Sequence, residues 1–497
     1  MGGPPPALKI WPMRAPRAVA VKRPGRAGWC AAASLSSRLP RRVSRPWVRR
    51  EVHATLVLAV PLVLVQLSQM AMSFIDVVMV GRLGTEALAA AVLGSTVFFT
   101  LALVCVGVIL SVTPTVSQAV GAGDEATVGR AARQGLWLAT FLGVPFVVAL
   151  GHAEPALLAT GQDPEVSVLA ADYLRAIRWG FVPNLWFTAL RGLCEGLSRP
   201  RPILAVTLLG VGVNVVGNTA LMFGRWGFPA LGLEGTGWSS AVVMLAMFVA
   251  LGLYVRLSPA LRRYRVFAGL RRPDVGMLGA LFALGWPIGV GFGLEAGLFT
   301  AATLVMGQFG QTALAAHQVA LNAASVAFMV PLGIGMAGGV RVGQAAGAGD
   351  VRGAARAGWT AVGLGGAFMA LSALLFWLRP GAVVWLYAGR DPDPAVADLA
   401  VALLGVAAVF QLVDGVQAAA AGALRGLKDT RVPMWIGAVS YWGLGLSLGA
   451  GLGLYGGAGP RGLWWGLTLG LAAAAVLLTA RFWRLTRGEP SATFSPD

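Results

Sequence analysis

Charged residues are scarce in this chain. They make up 12% of its 497 residues, while hydrophobic residues make up 57% and the mean hydropathy is +0.72. A soluble domain carries about 25% charged residues, so the composition excludes an ordinary soluble fold and indicates a helical integral membrane protein. Lysine is nearly absent, and almost every basic residue is an arginine.

Cysteine and histidine are also few, which limits redox, metal and catalytic chemistry. Cys30, Cys105 and Cys194 lack the spacing of a metal or redox site, and no disulfide framework is implied. The three histidines are far apart, and no phosphate-binding loop or serine-nucleophile motif is present. We therefore expect neither an enzyme nor a bound cofactor. His317 begins a predicted span, and we interpret it as a helix-end or gating residue.

Basic residues outnumber acidic ones, with 39 Lys/Arg against 21 Asp/Glu, and the formal net charge is +18. The excess is divided between a tail and one set of loops, which argues against nucleic acid as a partner. Residues 1–50 hold twelve Lys/Arg and no acid. We expect a disordered basic extension there, which anionic lipid would attract. An organellar transit peptide and a start codon assigned too early are the alternatives. Residues 488–497 form a short C-terminal tail.

Long apolar runs recur from Thr55 to the end of the chain. Each is close to the roughly 20 residues that a membrane-spanning helix needs. We predict twelve transmembrane helices, near 54–80, 90–115, 130–151, 166–190, 200–223, 234–257, 277–302, 316–340, 356–378, 396–423, 432–455 and 461–484.

The loops between these spans differ in basic charge. Without the N-terminal tail, one side carries twenty Lys/Arg and the other side seven. The positive-inside rule then places both termini in the cytoplasm of a multi-pass inner (plasma) membrane protein. In this assignment no Lys or Arg lies deep in a span.

The chain repeats itself. Two pairs of segments match at an offset of 226, namely Gly81–Ala90 with Gly307–Ala316 and Gln118–Asp124 with Gln344–Asp350. A third match, LRGL at Leu190–Leu193 and Leu424–Leu427, has an offset of 234. Six spans per half predict two like-oriented six-helix lobes, an N-lobe at 51–265 and a C-lobe at 266–487. A pseudo-two-fold axis along the membrane normal would relate them.

One acid stands near the end of the first span. Gln69, Ser73 and Asp76 recur at spacings of four and three, so they share one helix face. Asn214 and Asn218 are four apart in the fifth span. Carboxylates and amides together suit a small cation or a proton relay. The alternatives are a hydrated Asp76 at the membrane interface and asparagines that only join helices.

Two more acids occur in the second half. Glu295 lies in a glycine-rich span, where the glycines leave room for a ligand or serve packing alone. Asp414 lies between Gln411 and Gln417. The repeat does not duplicate the acids, since the 234 offset pairs Asp414 with Gly180. Without basic partners, each acid must hold a proton, bind a cation or be hydrated.

Four segments resemble the multidrug and toxic compound extrusion (MATE) family, in its NorM-like branch. They are FIDVVMVGRLG, GWPIGVGFGLEAGLF, AAHQVALN and VDGVQAAAAGALRGLKDT, and the resemblance covers about residues 50–485. It implies that the family acids of the first, seventh and tenth helices correspond to Asp76, Glu295 and Asp414. Many relatives have an Asp where this chain has Asn218, which leaves the ion preference of the N-lobe open.

The resemblance further implies efflux of cationic, often aromatic drugs in exchange for Na⁺ or H⁺, by rocking of the two lobes. The partners would be these drugs and membrane lipid, in a monomer without a metal beyond Na⁺ at the acids. A lipid-linked oligosaccharide flippase of the same superfamily is the alternative, but its anionic cargo would require a cleft lined with Arg or Lys. A channel fits unpaired acids in a duplicated scaffold less well.

Overall fold

The computed structural model describes residues 46–159, 161–270, 272–389 and 392–487, and these are helical without strands. Twelve long helices, α1 to α12, are in order Pro46–Val80, Thr85–Gly121, Glu125–Leu150, Pro164–Gly196, Arg201–Met222, Gly232–Leu257, Val275–Gly307, Gln311–Gly347, Val351–Leu378, Pro394–Gly426, 431–455 and Gly459–Arg487. Each contains or closely overlaps one predicted span, so the all-α fold with twelve helices is confirmed. Residues 1–45 of the predicted extension and the tail 488–497 lie outside the described residues.

Two of the twelve helices are not among those that are long and apolar enough to cross a membrane. Ten described helices are long and apolar enough to cross a membrane. The others are α4, which carries six charged side chains, and α11, in which π-helical turns interrupt the α-helix. The repeat supports both helices as membrane spans, because α4 is equivalent to α10 and α11 is equivalent to α5. Both α10 and α5 are long and apolar enough to cross a membrane.

The apolar cores follow the two halves of the chain. One buried cluster collects side chains within residues 65–281, and a second collects those within 298–474. A smaller cluster joins the halves, where Leu62 of α1 packs with Ile334 of α8. Helices α1 to α6 therefore form the N-lobe and α7 to α12 the C-lobe. The first cluster reaches into α7 because the start of that helix packs against α2.

The structure corrects the register of the repeat in α4 and α10. Both helices have 33 residues, and each begins with a proline after a capping aspartate, Asp163 and Asp393. Two residues after the end of each helix lies a residue with left-handed backbone, Ser198 at φ 56° and Lys428 at φ 60°. These landmarks are 230 residues apart, so the LRGL match at 234 lies one helical turn out of register. Asp414 therefore corresponds to Asn184, and its predicted pairing with Gly180 is wrong.

Two glutamines join the lobes at one end of the molecule. Gln118 Nε2 of α2 donates to the carbonyl of Gly426 at the end of α10, at 2.9 Å. Gln344 Nε2 of α8 donates to the carbonyl of Gly196 at the end of α4, at 2.8 Å, and to Ser198 Oγ at 2.9 Å. The last carbonyls of a helix lack partners within it, so each glutamine satisfies a group of the opposite lobe. The two contacts are equivalent under the repeat.

Glycines allow the close approach at this end. A Cβ at Gly121 would collide with the backbone of Gln344, and a Cβ at Gly347 with that of Gln118. This explains why QAVGAGD and QAAGAGD recur in both halves. The repeated segments are the contact surface between the lobes.

Candidate functional site

Asp76 is held by two amides of α5. Its Oδ1 accepts from Asn214 Nδ2 at 2.9 Å and from Asn218 Nδ2 at 2.6 Å. The amide oxygens of both asparagines are buried and have no partner within the described structure. Carboxylate and amide oxygens are the ligands of hard cations, so this cluster can hold Na⁺ or a proton. Asp76 is thus tied across two helices and is more than a hydrated interface residue.

The Asp76 cluster opens onto a cavity of about 540 Å³, called here the N-lobe cavity because most of its wall belongs to the N-lobe, although α7, α8 and α10 also contribute to it. Gln69 and Ser73 line the same cavity, as their spacing predicts. The hydroxyl of Ser73 donates to the backbone carbonyl of Gln69 at 3.4 Å. Most of the remaining wall is apolar and includes Phe98 and Phe99. The cavity therefore suits an aromatic molecule with a positive charge.

A buried ion pair at the wall of the N-lobe cavity was not predicted. Arg191 Nε lies 2.7 Å from Glu195 Oε1, and its Nη2 donates to Gln66 Oε1 at 2.9 Å. Thr113 Oγ1 donates to the other Glu195 oxygen at 3.2 Å. The prediction that no Arg lies deep in a span is wrong here, because α4 continues beyond its predicted end at residue 190. The i, i+4 spacing of Arg191 and Glu195 was the available signal.

Glu295 and Asp414 line a second cavity, of about 400 Å³, in the C-lobe. Asp414 is 5% exposed, and its Oδ1 has no partner in the part of the chain described. Gln417 Nε2 donates to the Tyr441 hydroxyl of α11 at 2.5 Å. The predicted acids of α7 and α10 therefore meet in one cavity. Tyr441 was missed, since a single tyrosine in an apolar run gives no sequence signal.

Gln411 lies outside the set of residues that line the C-lobe cavity. Its Oε1 accepts from Ser372 Oγ of α9 at 2.7 Å, and the residue is fully buried. Gln411, Asp414 and Gln417 span roughly 120° of the helix surface at 100° per residue. The cavity covers only part of that arc. Asp414 and Gln417 therefore face the cavity, whereas Gln411 contacts α9.

Arg425 separates the two cavities. It lines both of them, together with Phe292, whose ring centre is 5.5 Å from the Arg425 Cζ. The sequence prediction placed Arg425 in a loop, but it lies inside α10, one residue before the end of the helix. It corresponds under the 230 register to Glu195. The repeat thus places opposite charges at equivalent positions.

His317 is not at a helix end in contact with solvent. It is fully buried within the C-lobe, where its Nδ1 accepts from Trp464 Nε1 at 3.1 Å and its Nε2 lies 3.2 Å from Thr303 Oγ1. Its predicted role as a helix-end or gating residue is replaced by a core hydrogen-bond position. Cys105 and Cys194 are buried and free.

Known proteins are similar to this sequence over most of its length. The sequence profile of the MatE family matches residues 61–220 and 287–450, one segment in each lobe. The starts of these segments are 226 apart and their ends 230 apart, in agreement with the structural register. A multidrug resistance protein NorM of Burkholderia vietnamiensis is 44% identical over 88% of this chain and 95% of its own. A probable one of Pseudomonas aeruginosa is 42% identical over 90% and 92%.

Solved structures share the fold. The crystal structure of the eukaryotic MATE transporter AtDTX14 has a TM-score of 0.78 at 21% identity and covers 88% of this chain and 98% of its own. An outward-facing multidrug resistance MATE family transporter of the MOP superfamily has a TM-score of 0.80 at 19% identity, over 90% and 100%. With twelve helices in two lobes and a family match in each, the chain belongs to the MatE family of multidrug and toxic compound extrusion transporters.

Proposed function

We propose that this protein is a secondary active multidrug efflux antiporter. It exports cationic, often aromatic compounds in exchange for Na⁺ or H⁺. The observation that carries the proposal is that each lobe places acids on the wall of a cavity, Asp76 on one cavity and Glu295 with the buried Asp414 on the other. Relatives at 44% and 42% identity, named as a multidrug resistance protein and a probable one, support the same function.

Coupling follows from competition for the same anions. A buried carboxylate without a fixed partner is unfavourable, so an ion or a cationic compound stabilises it. Exchange requires that the two are not bound equally well in one state. The close acids Glu295 and Asp414 cannot both remain ionised cheaply, so they hold a proton or share a cation. Arrival of a cationic compound displaces that ion.

Alternating access uses the contact between the lobes. We assign the end that carries the Gln118 and Gln344 contacts to the cytoplasmic side, because the basic loops lie there. Both termini are then cytoplasmic in the inner membrane, and the described state is closed toward the cytoplasm. A cysteine introduced at Ala122 should react with an impermeant reagent only from the cytoplasmic face. Labelling from outside intact cells would reverse the assigned orientation.

The flippase alternative gains one observation, since two arginines line the cavities. Arg191, however, is neutralised by Glu195 at 2.7 Å. Asp76, Glu295 and Asp414 then outnumber the remaining Arg425. The net negative charge of the cavities favours cationic cargo over an anionic lipid-linked sugar.

Dye efflux tests the proposal directly. Inverted vesicles that contain the protein should accumulate ethidium when a Na⁺ or a pH gradient is imposed, and the effective gradient identifies the coupling ion. Vesicles with the Asp414→Asn variant serve as the matched control. Uptake that persists with ATP after both gradients are collapsed would exclude an antiporter.

A further inference from the structure

Arg425 differs from the other cavity arginine in having no carboxylate partner. Arg191 is bound by Glu195 and Gln66, whereas no carboxylate oxygen of the described residues comes within 4 Å of Arg425. Among the described residues, the only hydrogen bond of Arg425 runs from its Nε to the Ala421 carbonyl of its own helix, at 3.3 Å. Within the described chain its two terminal nitrogens therefore lack a protein acceptor and are available to the cavities.

The surroundings of Arg425 make this free cation unusual. It lies against the ring of Phe292 and lines both cavities, one of which also contains Glu295 and the other Glu195. A guanidinium removed from bulk water is unfavourable unless its donors are bonded. A planar guanidinium next to an aromatic ring suits an aromatic molecule with an attached carboxylate, which it can bind through two parallel hydrogen bonds.

The C-lobe cavity thus contains both signs of charge. Glu295 and Asp414 supply the anions and Arg425 the cation, within a cavity of about 400 Å³. Its volume lies in the range of sites for drug-sized ligands. Complementary charge of this kind selects a ligand by the placement of its own charges.

We propose that Arg425 is a specificity-determining residue that binds the carboxylate of aromatic compounds which also carry a cationic group. Glu295 and Asp414 bind the cationic group of the same molecule. The site thereby favours dipolar compounds over otherwise identical compounds with a positive charge alone. This inference rests on the proposed efflux function and defines its substrate class.

Two fluorescent dyes differ in the relevant group only. Rhodamine 110 carries a free carboxylate, and rhodamine 123 is its methyl ester. Binding of each to the purified full-length protein in detergent is measured by fluorescence anisotropy, and the ratio of the ester Kd to the acid Kd is the readout. In Arg425→Gln we expect this ratio to fall roughly tenfold, the size of one charge-assisted contact. Arg425→Lys keeps the charge without the planar fork and should lie between.

Arg431→Gln is the matched control, because Arg431 is an exposed arginine at the start of α11 that does not line either cavity. Its ratio should equal that of the wild type. Equal weakening of both dyes in Arg425→Gln would overturn the inference and leave Arg425 as a support for Glu295. If Arg425→Gln does not fold, a wild-type ratio in Arg425→Lys overturns it instead.

The proposed function is judged separately. Gradient-driven transport of rhodamine 123 by the wild type tests efflux without any carboxylate on the cargo. Efflux of rhodamine 123 together with no detectable binding of rhodamine 110 overturns the inference alone. Absence of both binding and transport overturns both.

Discussion

The two lobes share a scaffold but hold their acids differently. In the N-lobe one carboxylate, Asp76, is bound by two amides at 2.9 and 2.6 Å. In the C-lobe two carboxylates line one cavity, and Asp414 Oδ1 has no partner among the described residues. The N-lobe acid is therefore fixed in place, and the C-lobe acids are available to a ligand. Duplication preserved the helices while the chemistry of the cavities diverged.

One feature is nevertheless common to both sites. A π-helical turn begins at Asn218 in α5, and another, Ala438–Leu446, carries Tyr441 in the equivalent α11. Such turns are rare and occur frequently at functional sites, because the altered hydrogen bonding redirects side chains. In both lobes the π-helical segment supplies a polar partner to the site. The repeat thus conserves a backbone distortion even where the side chains differ.

The largest effect should come from the C-lobe acids. We expect Glu295→Gln and Asp414→Asn each to abolish ion-coupled efflux, because each removes an anion for which ion and cargo compete. The unfolding temperature in detergent should not fall, since loss of a buried, unpaired charge does not destabilise a fold. Asp398→Asn, on an exposed face of the same helix, is the control and should transport normally. Normal efflux by either test variant would remove that residue from the mechanism.

Asp76→Asn sharpens the comparison between lobes. We expect at least a tenfold loss of efflux, because the amides of Asn214 and Asn218 lose the charged acceptor that positions them. Ion binding to the C-lobe acids should persist. Isothermal titration of the coupling ion into purified Asp76→Asn and Asp414→Asn separates the two sites. If Asp76→Asn loses all ion binding, the lobes do not act separately.

The sequence predicted the helices, the repeat and the three acids because each has a local signal. Apolar length defines spans, and polar spacing placed Asp76 on the face that reaches its cavity. Arg191 and Arg425 were misplaced because Arg-Gly pairs resemble helix ends, whereas both helices continue past them to Gly196 and Gly426.

Contacts between distant helices have no such local signal. The bond from Gln417 to Tyr441, and the position of Gln411 against Ser372, depend on how α9, α10 and α11 pack. The 234 offset failed for a related reason. The 234 offset rests on four identical residues only, whereas the register of 230 is fixed by the start of both helices, by their capping aspartates and by the left-handed residues after their ends.

The glutamine contacts are unequal, which predicts unequal variants. Gln344 makes two bonds to the N-lobe and Gln118 makes one to the C-lobe. At about 1 kcal/mol per bond, Gln344→Leu should shift the equilibrium away from the described state roughly 30-fold and Gln118→Leu about fivefold.

Ala122 and Ala348 are exposed and equivalent under the repeat. Spin labels attached to cysteines at these two positions report the distance between the lobes at the end that carries the glutamine contacts, measured by double electron–electron resonance. The wild type with the same labels is the control. Equal shifts in the two variants would contradict the unequal contributions, and the absence of any shift would show that this end closes without these bonds.

The smallest effect should come from Gln411, which the structure places outside the C-lobe cavity. Gln411→Leu should change the efflux rate less than about twofold but cost about 1 kcal/mol of stability, because the half-buried Ser372 hydroxyl loses its acceptor. The double variant Gln411→Leu/Ser372→Ala removes both partners and should regain most of that stability, as expected for residues in direct contact.

Gln417→Leu is the comparison, since it removes the donor to Tyr441 at the cavity and should reduce efflux more than it reduces stability. Initial efflux rates and thermal unfolding of all three variants decide the matter. If Gln411→Leu stops efflux while Gln417→Leu does not, the functional face of α10 is turned toward α9 and the described cavity is not the ion site.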